Sequence, residues 1–330
     1  MYSLGYSTKD LRVMKIAIIS DIHGNLLALQ AVLADITRQG VDQTVNLGDS
    51  LSGPLQPAET ADLLMAQRFP TIKGNHERQL LAARTLPAAE ADLRDSDGYA
   101  AAQVSAAHIA WLEALPAQFA LSSDVWLCHG TPASDLQYWL ETVTPGFGAH
   151  GHPGVRAATA DEVAVRLGDC TYPVVLCGHT HVPRIVQCGR TLVVNPGSVG
   201  LPGYSDDHPF PHVIENGAPH ARYAVLEKIG NGWQVDLRAV PYDHLAQARV
   251  AESRQRPDWA QALATGFMQG TAHRRTPDAH AGTGKMTCST GPGLEHGVKH
   301  GVGPGAFHLI GKNLKCHHAA SVIPTSSTIF

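Results

Sequence analysis

The sequence predicts an α/β protein, and three observations support this fold class. Five short apolar runs are each followed at once by Asp, Asn or His beside a glycine. Segments with helical periodicity lie between the first three runs, and this order implies parallel strands joined by right-handed crossovers. Of the 330 residues, 44% are hydrophobic, which is ample for a core. Because sites in open α/β sheets form beyond the carboxyl ends of the strands, the polar residues after the five runs should lie together.

The first run begins at Lys15, and its composition is that of a buried strand. Asp21 and His23 follow just beyond its carboxyl end. An oxygen ligand and a nitrogen ligand two residues apart on an extended chain can reach the same side, which is how a metal site begins. Asn25 can then cap a helix that extends to about Gln39, where a glycine ends it.

The next two units have the same form. Strands are expected at 41–47 and 70–73, and they lead into Asp49 and Asn75. Since the strands are expected to be parallel, both residues should line one edge of the sheet together with Asp21.

Apolar periodicity predicts further helices at about 57–67, 77–84, 98–114, 161–167 and 243–265. A polar connector precedes the third of these, so the region of about 84–116 is interpreted as a helical insertion rather than as part of the sheet. His108 lies there among apolar residues, which favours a packed helix residue over a metal ligand.

Two more strand-and-ligand units lie in the second half of the chain. A strand at 125–128 precedes His129, and a strand at 173–177 precedes His179 and His181.

The remaining segments are hairpins at 184–194 and 222–240 and loops at 131–154 and 201–221. His150 and His152 lie in the first loop and are either solvent-exposed residues or substrate contacts. The insertion and both loops are expected to wall the pocket.

The two ends of the chain have little apolar content. Residues 1–13 are expected to be a disordered leader and residues 269–330 a disordered tail, with the folded domain at 14–268 between them. The six cysteines have no metal-binding spacing, and no signal peptide or transmembrane run is present, which predicts reduced thiols in a cytoplasmic protein. The net charge of −4 argues against extended nucleic-acid binding, and homo-oligomerisation is left open.

Seven residues at the ends of the runs form a candidate ligand set: Asp21, His23, Asp49, Asn75, His129, His179 and His181. Two divalent ions roughly 3.5 to 4 Å apart need about this many nitrogen and oxygen ligands, with one carboxylate shared. Only two of the seven are anionic, so the ions would keep positive charge for an anionic ester oxygen. The set therefore favours chemistry on phosphate.

The five blocks, in this order, resemble the signature motifs of the calcineurin-like metallophosphoesterase superfamily over about residues 15–240. The segments 195–198 and 217–223 resemble its bacterial and archaeal branch of predicted phosphodiesterases. The resemblance implies a four-layer α/β/β/α sandwich in which two mixed sheets pack face to face with helices outside.

The resemblance also implies a role for each ligand. One metal would be held by Asp21, His23 and His181. The other would be held by Asn75, His129 and His179, with Asp49 as the bridge. His76 would be the general acid at the leaving-group oxygen, with a metal-bridging hydroxide as nucleophile. Mn²⁺ is the expected metal, and Fe²⁺, Zn²⁺ and Ni²⁺ also tolerate this ligand mix.

One departure bears on the substrate. Protein phosphatases of the superfamily have a second Asp and an Arg after the bridging Asp, whereas this chain has Ser52 and Gly53. Without a bidentate guanidinium, diesters are favoured over a dianionic phosphoserine. Candidate substrate contacts, with structural roles as the alternative, are Asn25, Asn195, His220 and Arg222.

The leading hypothesis is therefore a dinuclear metal-dependent phosphodiesterase of small or nucleotide-like esters. The alternatives are a phosphomonoesterase or dinucleoside polyphosphate hydrolase, and a non-catalytic scaffold on the same fold. A scaffold is expected to have lost ligands, whereas all seven are present here.

Overall fold

The computed structural model describes residues 14–85 and 95–268. The predicted leader, the predicted tail and residues 86–94 of the predicted insertion lie outside the described residues. In the described ranges, no helix is long and apolar enough to cross a membrane.

The described strands are Lys15–Ile19 (β1), Gln43–Asn46 (β2), Phe119–Ala120 (β3), Val125–Leu127 (β4), Glu141–Val143 (β5), Val155–Ala157 (β6), Val174–Leu176 (β7), Arg184–Cys188 (β8), Thr191–Asn195 (β9), Gly203–Asp206 (β10), His212–Glu215 (β11), Ala221–Ile229 (β12) and Gly232–Val240 (β13). The described α-helices are Leu26–Gln39 (α1), Pro57–Gln67 (α2), Asn75–Arg84 (α3), Ser96–Gln103 (α4), Ala106–Ala114 (α5), Ala160–Leu167 (α6), His244–Ser253 (α7) and Pro257–Thr265 (α8).

The larger strands form two mixed sheets, and the predicted α/β class is confirmed. The first sheet has the order β13-β12-β1-β2, with β1 parallel to β2 and antiparallel to β12. The second has the order β3-β4-β7-β9-β8, with β4, β7 and β9 parallel to one another. Two small antiparallel pairs, β5 with β6 and β10 with β11, lie outside these sheets.

The alternation of side chains along β1 separates two cores. Ala17 and Ile19 pack with Leu29 of α1 on one face. Ile16 and Ile18 lie on the other face, in a cluster that also contains residues of β4, β7 and β9. On the far side of the second sheet, residues of β7 and β9 pack with α6. The layers therefore run helix, sheet, sheet, helix, as the four-layer prediction requires.

Local signals account for the first two helices. The Asn25 side chain accepts the Ala28 N–H at 3.1 Å, and Gly40 ends α1 in the left-handed conformation with φ of 61°. The second helix, α2, occupies the predicted residues 57–67 because Pro57 suits the first turn, where no intrahelical N–H is needed.

The predicted strand at 70–73 is shorter than expected. Only a single parallel bridge forms there, between Thr71 and Asn46. Pro70 has no N–H to donate, and the Lys73 N–H donates instead to the Pro116 carbonyl. The bridge still places the following residues beside the carboxyl ends of β1 and β2.

Two predicted helices are each divided in two. The stretch 98–114 breaks at Val104, and Ser105 starts α5 by accepting the His108 N–H. The stretch 243–265 breaks before Pro257, which cannot continue a helix but can begin one. His108 is buried, and its Nε2 lies 2.9 Å from Asp62, as expected for a packed helix residue.

The two predicted loops contain regular structure that their sequences do not indicate. The first contains β5, and the second contains β10 and β11. These strands have three or four residues each, too few for a period to show among the many Gly and Pro residues. The predicted hairpin at 222–240 is confirmed as β12 and β13.

Candidate metal centre

Seven polar residues meet where β1, β2, β4 and β7 end. Asp21 and His23 follow β1, Asp49 follows β2, His129 follows β4, and His179 and His181 follow β7. Asn75 is the first residue of α3, just beyond the Thr71 bridge. The hydrogen bonds of the first sheet continue past the strands, because the N–H groups of Asp21 and His23 donate to the carbonyls of Gly48 and Asp49 at 3.0 Å.

The ligand atoms fall into two adjoining clusters. In the first cluster, one atom each of Asp21, His23 and His181 lie within 4.8 Å of one another. In the second cluster, the same holds for Asp49, His129 and His179. Asn75 Oδ1 joins the second cluster, 3.1 Å from His129 Nε2. The clusters adjoin, since His129 Nε2 is also 4.0 Å from Asp21 Oδ1.

Five of the seven residues have left-handed backbone conformations, with φ between 51° and 69°: Asp21, His23, Asp49, His179 and His181. In the described residues, only three other non-glycine residues have positive φ. Each such conformation costs about 1–3 kcal/mol and persists only where its surroundings enforce it. The strain therefore concentrates at this one site, which is typical of functional positions.

The hydrogen bonds of His23 and His181 determine which nitrogen of each ring is free. His23 Nδ1 is 2.8 Å from the Ser52 carbonyl, and His181 Nδ1 is 2.8 Å from the Leu201 carbonyl. Each Nδ1–H must donate to its carbonyl, so both Nε2 atoms carry lone pairs. These two Nε2 atoms are only 3.0 Å apart. Two acceptor atoms at this distance repel each other, and a divalent ion bound by both would remove that repulsion.

In the second cluster, too, a backbone carbonyl orients an imidazole ring. His129 Nδ1 is held by the Leu47 carbonyl at 2.8 Å, so its Nε2 faces Asp49 Oδ2 at 3.0 Å and Asn75 Oδ1 at 3.1 Å. The Asn75 amide is oriented by donation of Nδ2–H to Gln79. When the His129 ring is neutral, all three facing atoms are acceptors, and either a proton on Nε2 or a bound cation relieves their repulsion. The donor set of both clusters fits borderline divalent metal ions.

Comparison with known proteins agrees with this donor set. Residues 14–210, more than half of the chain, match the calcineurin-like phosphoesterase superfamily domain. The chain belongs to this superfamily. The resemblance seen in the five motifs is confirmed, and the protein is a phosphoesterase by family.

Solved structures and a curated relative extend the comparison. A metallophosphoesterase from Sphaerobacter thermophilus is 25% identical with a TM-score of 0.59, over 77% of this chain and 100% of that chain. A hypothetical protein from Pyrococcus horikoshii shares the fold at 16% identity and a TM-score of 0.56, over 77% and 99% of the two chains. An uncharacterized protein from Methanocaldococcus jannaschii is 24% identical over 268 residues, 74% of this chain and 94% of that one.

Burial and neighbouring charges set the protonation states of the candidate ligand imidazoles in this phosphoesterase. Burial, with a smaller contribution from a neighbouring imidazole, lowers the pKa of His23 to about 3 and that of His179 to about 4. Both rings are therefore uncharged at neutral pH. Burial also lowers the pKa of His129, but the charges of Asp49 and Asp21, together with hydrogen bonds to Asp49 and to the Leu47 carbonyl, outweigh it and raise the pKa to about 9. A proton there occupies the lone pair that a metal ion would use.

Glu77 organises the phosphoesterase site from behind. Its buried carboxylate accepts the backbone N–H groups of Asp49 at 2.8 Å, of Ser50 at 2.7 Å and of Gly74 at 2.7 Å. Gly74 has no room for a side chain, because a Cβ there would lie 2.1 Å from Asp49 Oδ1. Both residues shape the turn.

His76 lies beside the first cluster, with its ring centroid 5.4 Å from that of His23. Its Nδ1 is 3.0 Å from Asp97 Oδ1, and Asp97 comes from α4 in the predicted insertion. Burial lowers the pKa of His76, but the charges of Asp49 and Asp97 and the hydrogen bond to Asp97 raise it to about 10. Sequence reasoning missed Asp97, because no local pattern links it to His76.

The structure assigns structural roles to two predicted substrate contacts of the phosphoesterase. Asn25 caps α1 with Oδ1, and its Nδ2 donates to the Gly200 carbonyl at 2.8 Å and the Tyr242 hydroxyl at 3.0 Å. Asn195 Nδ2 donates to the Gly178 carbonyl at 2.8 Å. Both polar atoms of Asn25 thus have protein partners and the side chain is fully buried, while its contact with substrate stays a prediction.

The other candidate contacts lie at the surface or near it. His220 is exposed just before β12, and Arg222 is half-buried with an Nε that lacks a hydrogen-bond partner among the described residues. His150 and His152 are exposed in the loop after β5. The structure does not bring any of these four side chains into the two clusters, and their contact with substrate stays a prediction.

Three further aromatic side chains next to the ligands were not anticipated as site residues. Tyr138 and Tyr204 contact His179 and His181, with ring centroids 5.0 Å and 4.7 Å apart. Trp259 of α8 lies 6.0 Å from the His23 ring. Their sequence neighbourhoods carry no motif, so only the fold identifies them as part of this phosphoesterase site.

Proposed function

We propose that this phosphoesterase hydrolyses phosphodiester bonds of small or nucleotide-like substrates with the help of two divalent metal ions, Mn²⁺ being the expected metal. The observation that carries the proposal is the convergence of imidazole nitrogens and carboxylate oxygens in two adjoining clusters, in one of which His23 Nε2 and His181 Nε2 lie only 3.0 Å apart. Such an arrangement is unfavourable for the protein alone and favourable around cations.

The ligand assignment follows the clusters. The first ion would be held by Asp21, His23 and His181. The second would be held by Asn75, His129 and His179, with Asp49 between the two. When bound, the ions supply Lewis-acid stabilisation of phosphoryl oxygens and activation of water. Backbone carbonyls orient the imidazole rings. Three of the four rings present Nε2 to the ions because a carbonyl holds Nδ1. His179 presents Nδ1 because the Leu136 carbonyl holds its Nε2 at 3.1 Å.

His76 is proposed as the general acid that protonates the leaving-group oxygen. Its Nδ1 is engaged by Asp97, which leaves Nε2–H free to donate. Asp97 fixes the orientation of the ring and favours its protonated form. The side chain of His76 is 30% exposed, so substrate can reach it, whereas the ligands around it are buried.

The preference for diesters is supported by the segment after Asp49. A dianionic monoester is usually met by a bidentate guanidinium. Here the Ser52 carbonyl accepts a hydrogen bond from His23, and a Cβ at Gly53 would lie 2.7 Å from the Trp259 ring. Neither Ser52 nor Gly53 has a cationic side chain to meet a second phosphate charge, which favours a monoanionic substrate.

The proposal is tested with bis(p-nitrophenyl) phosphate and p-nitrophenyl phosphate as diester and monoester probes. Metal-stripped protein is assayed with and without added Mn²⁺, beside the variants His129→Ala and His244→Ala. We expect Mn²⁺-dependent turnover that is faster on the diester. Substitutions of residues that support a metal ligand typically lower activity roughly 10–100-fold. His129→Ala removes a candidate ligand itself, so its turnover should fall by more than that.

The matched control is His244→Ala, which removes an imidazole at the start of α7, away from the ligand set. It should keep wild-type turnover. Faster monoester than diester turnover would refute the diesterase assignment. No turnover of either probe in protein that binds two ions would refute the proposal for substrates of this kind.

A further inference from the structure

Two tyrosines lie against the two histidines that follow β7. The Tyr138 ring meets the His179 ring edge-on, with centroids 5.0 Å apart and an interplanar angle of 74°. The Tyr204 ring meets the His181 ring in the same way, at 4.7 Å and 65°. His179 belongs to the second cluster and His181 to the first. Each tyrosine therefore packs on a ligand of a different candidate metal ion.

The two tyrosines are joined by a hydrogen-bond chain whose direction can be assigned. His212 Nδ1–H donates to the Phe210 carbonyl at 2.9 Å, which leaves Nε2 as an acceptor. The Tyr138 hydroxyl is 2.9 Å from that Nε2 and donates to it. The Tyr204 hydroxyl is 2.6 Å from the Tyr138 oxygen and donates in turn. Each proton of the chain thus has one acceptor.

This hydrogen-bond chain connects three separate parts of the fold. Tyr138 lies in the segment after β4, Tyr204 on β10 and His212 on β11, and Asp206 pairs with His212 in the β10–β11 register. His212 is 1% exposed, and burial raises the pKa of both tyrosines, so the hydroxyls stay protonated. The β10–β11 pair does not belong to either large sheet. Its side chains instead contact the turn that carries His179 and His181.

The same segment supports the backbone of that turn. His179 and His181 both have left-handed conformations. The Asn216 Nδ2–H donates to the His181 carbonyl at 3.0 Å. A strained turn holds its side chains in place only when its surroundings enforce the conformation.

We propose that Tyr138, Tyr204 and His212 form a positioning cluster that fixes His179 and His181 relative to each other, and thereby sets the spacing of two bound divalent ions. The inference rests on the two-ion site of the proposed function and goes beyond its ligands. The cluster does not touch the reacting phosphate. It acts through the two imidazoles, against whose rings the two tyrosines pack.

The test uses Tyr204→Phe and Tyr138→Phe, which keep the rings and remove one hydroxyl from the chain. The matched control is Tyr223→Phe, because the Tyr223 hydroxyl likewise donates to a side chain, Asp35 at 2.6 Å, but on the α1 side of the first sheet. Mn²⁺ binding to metal-stripped protein is measured by titration calorimetry. The electron paramagnetic resonance spectrum of the fully loaded protein reports the coupling between two Mn²⁺ ions.

We expect both cluster variants to bind the second Mn²⁺ about tenfold or more weakly and to show a changed coupling between the ions. Tyr223→Phe should have the wild-type affinity and spectrum even where it unfolds at a lower temperature. Wild-type affinity and coupling in the cluster variants, or equal changes in Tyr223→Phe, would overturn the inference. Failure of both cluster variants to fold while the control folds would also overturn it, since the cluster would then be a folding element. None of these readouts needs turnover, so a wild type that binds two coupled ions without hydrolysing any ester would contradict the proposed function alone.

Discussion

Glu77 is the buried carboxylate on which two backbone segments of the site converge, and its replacement by Gln tests how the site is held. The carboxylate accepts three N–H groups, from Asp49, Ser50 and Gly74. Glu77→Gln keeps the size but turns one acceptor into a donor, so at least one buried N–H loses its partner. A hydrogen bond to a charged group contributes about 1.5–3 kcal/mol, and an unsatisfied buried donor costs about 1–3 kcal/mol. We therefore expect the free energy of unfolding to fall by about 3 kcal/mol.

For a domain of this size, about 1 kcal/mol corresponds to roughly 2–4 °C in Tm, so Tm should fall by about 6–12 °C. The assay is thermal unfolding followed by circular dichroism in the presence of EDTA, which removes any contribution from metal binding. Glu162→Gln is the matched control, since Glu162 holds the same capping position in α6 but at the surface. Its Tm should stay near that of the wild type. A Glu77→Gln protein that melts within about 2 °C of the wild type would refute the reasoning, because the three N–H groups would then have other partners.

Three further changes test other parts of the structure. Gly178→Ala would place a Cβ 2.1 Å from the Ser20 hydroxyl, so we expect a lower Tm and weaker Mn²⁺ binding, measured by unfolding and by calorimetry. Asp97→Asn removes the charge that orients His76, and we expect kcat on a diester to fall about 10–100-fold with little change in KM, measured by steady-state kinetics. Burial raises the pKa of Asp35, but hydrogen bonds from a tyrosine and two arginines lower it below its usual value. A lowered carboxyl pKa contributes stability above the unfolded-state pKa, and this contribution is lost as pH falls through the folded-state value. Asp35→Asn should therefore have a lower Tm than the wild type at neutral pH, and the difference should vanish as pH falls below about 4.

The strand ends could be predicted from the sequence because two local signals coincide there. A run of β-branched residues such as the one after Lys15 is typical of a buried strand, and a polar residue beside a glycine ends it. The same reasoning predicts α2, since Pro57 marks its first turn. In a parallel sheet, local strand ends imply a shared edge, so the assembly of the seven residues follows from the topology.

The rest of the site depends on contacts between distant segments, which no local pattern indicates. Asp97 reaches His76 across 21 residues of sequence, and Tyr204 lies in a segment whose Gly and Pro content hides its strand. The left-handed backbone of Asp21 and Asp49 is also not a property of Asp in general. It results from how tightly the loops of neighbouring strands meet.

That tightness also explains why a glycine accompanies so many of the ligands. Parallel strands lie about 4.8 Å apart, so the loops that follow them touch when they converge on one point. The space that a Cβ at Gly74 would fill is occupied by the Asp49 carboxylate, and a Cβ at Gly178 would lie 2.8 Å from Asp21 Oδ2. A Cβ at Gly200 would lie 1.7 Å from the Ile22 carbonyl oxygen. In the sequence these glycines indicate turns, but in the structure their chief role is to leave room for the carboxylates and carbonyls of the neighbouring loop. The pairing of glycine with candidate ligand is thus a consequence of packing two candidate metal-binding clusters at the junction of two sheets.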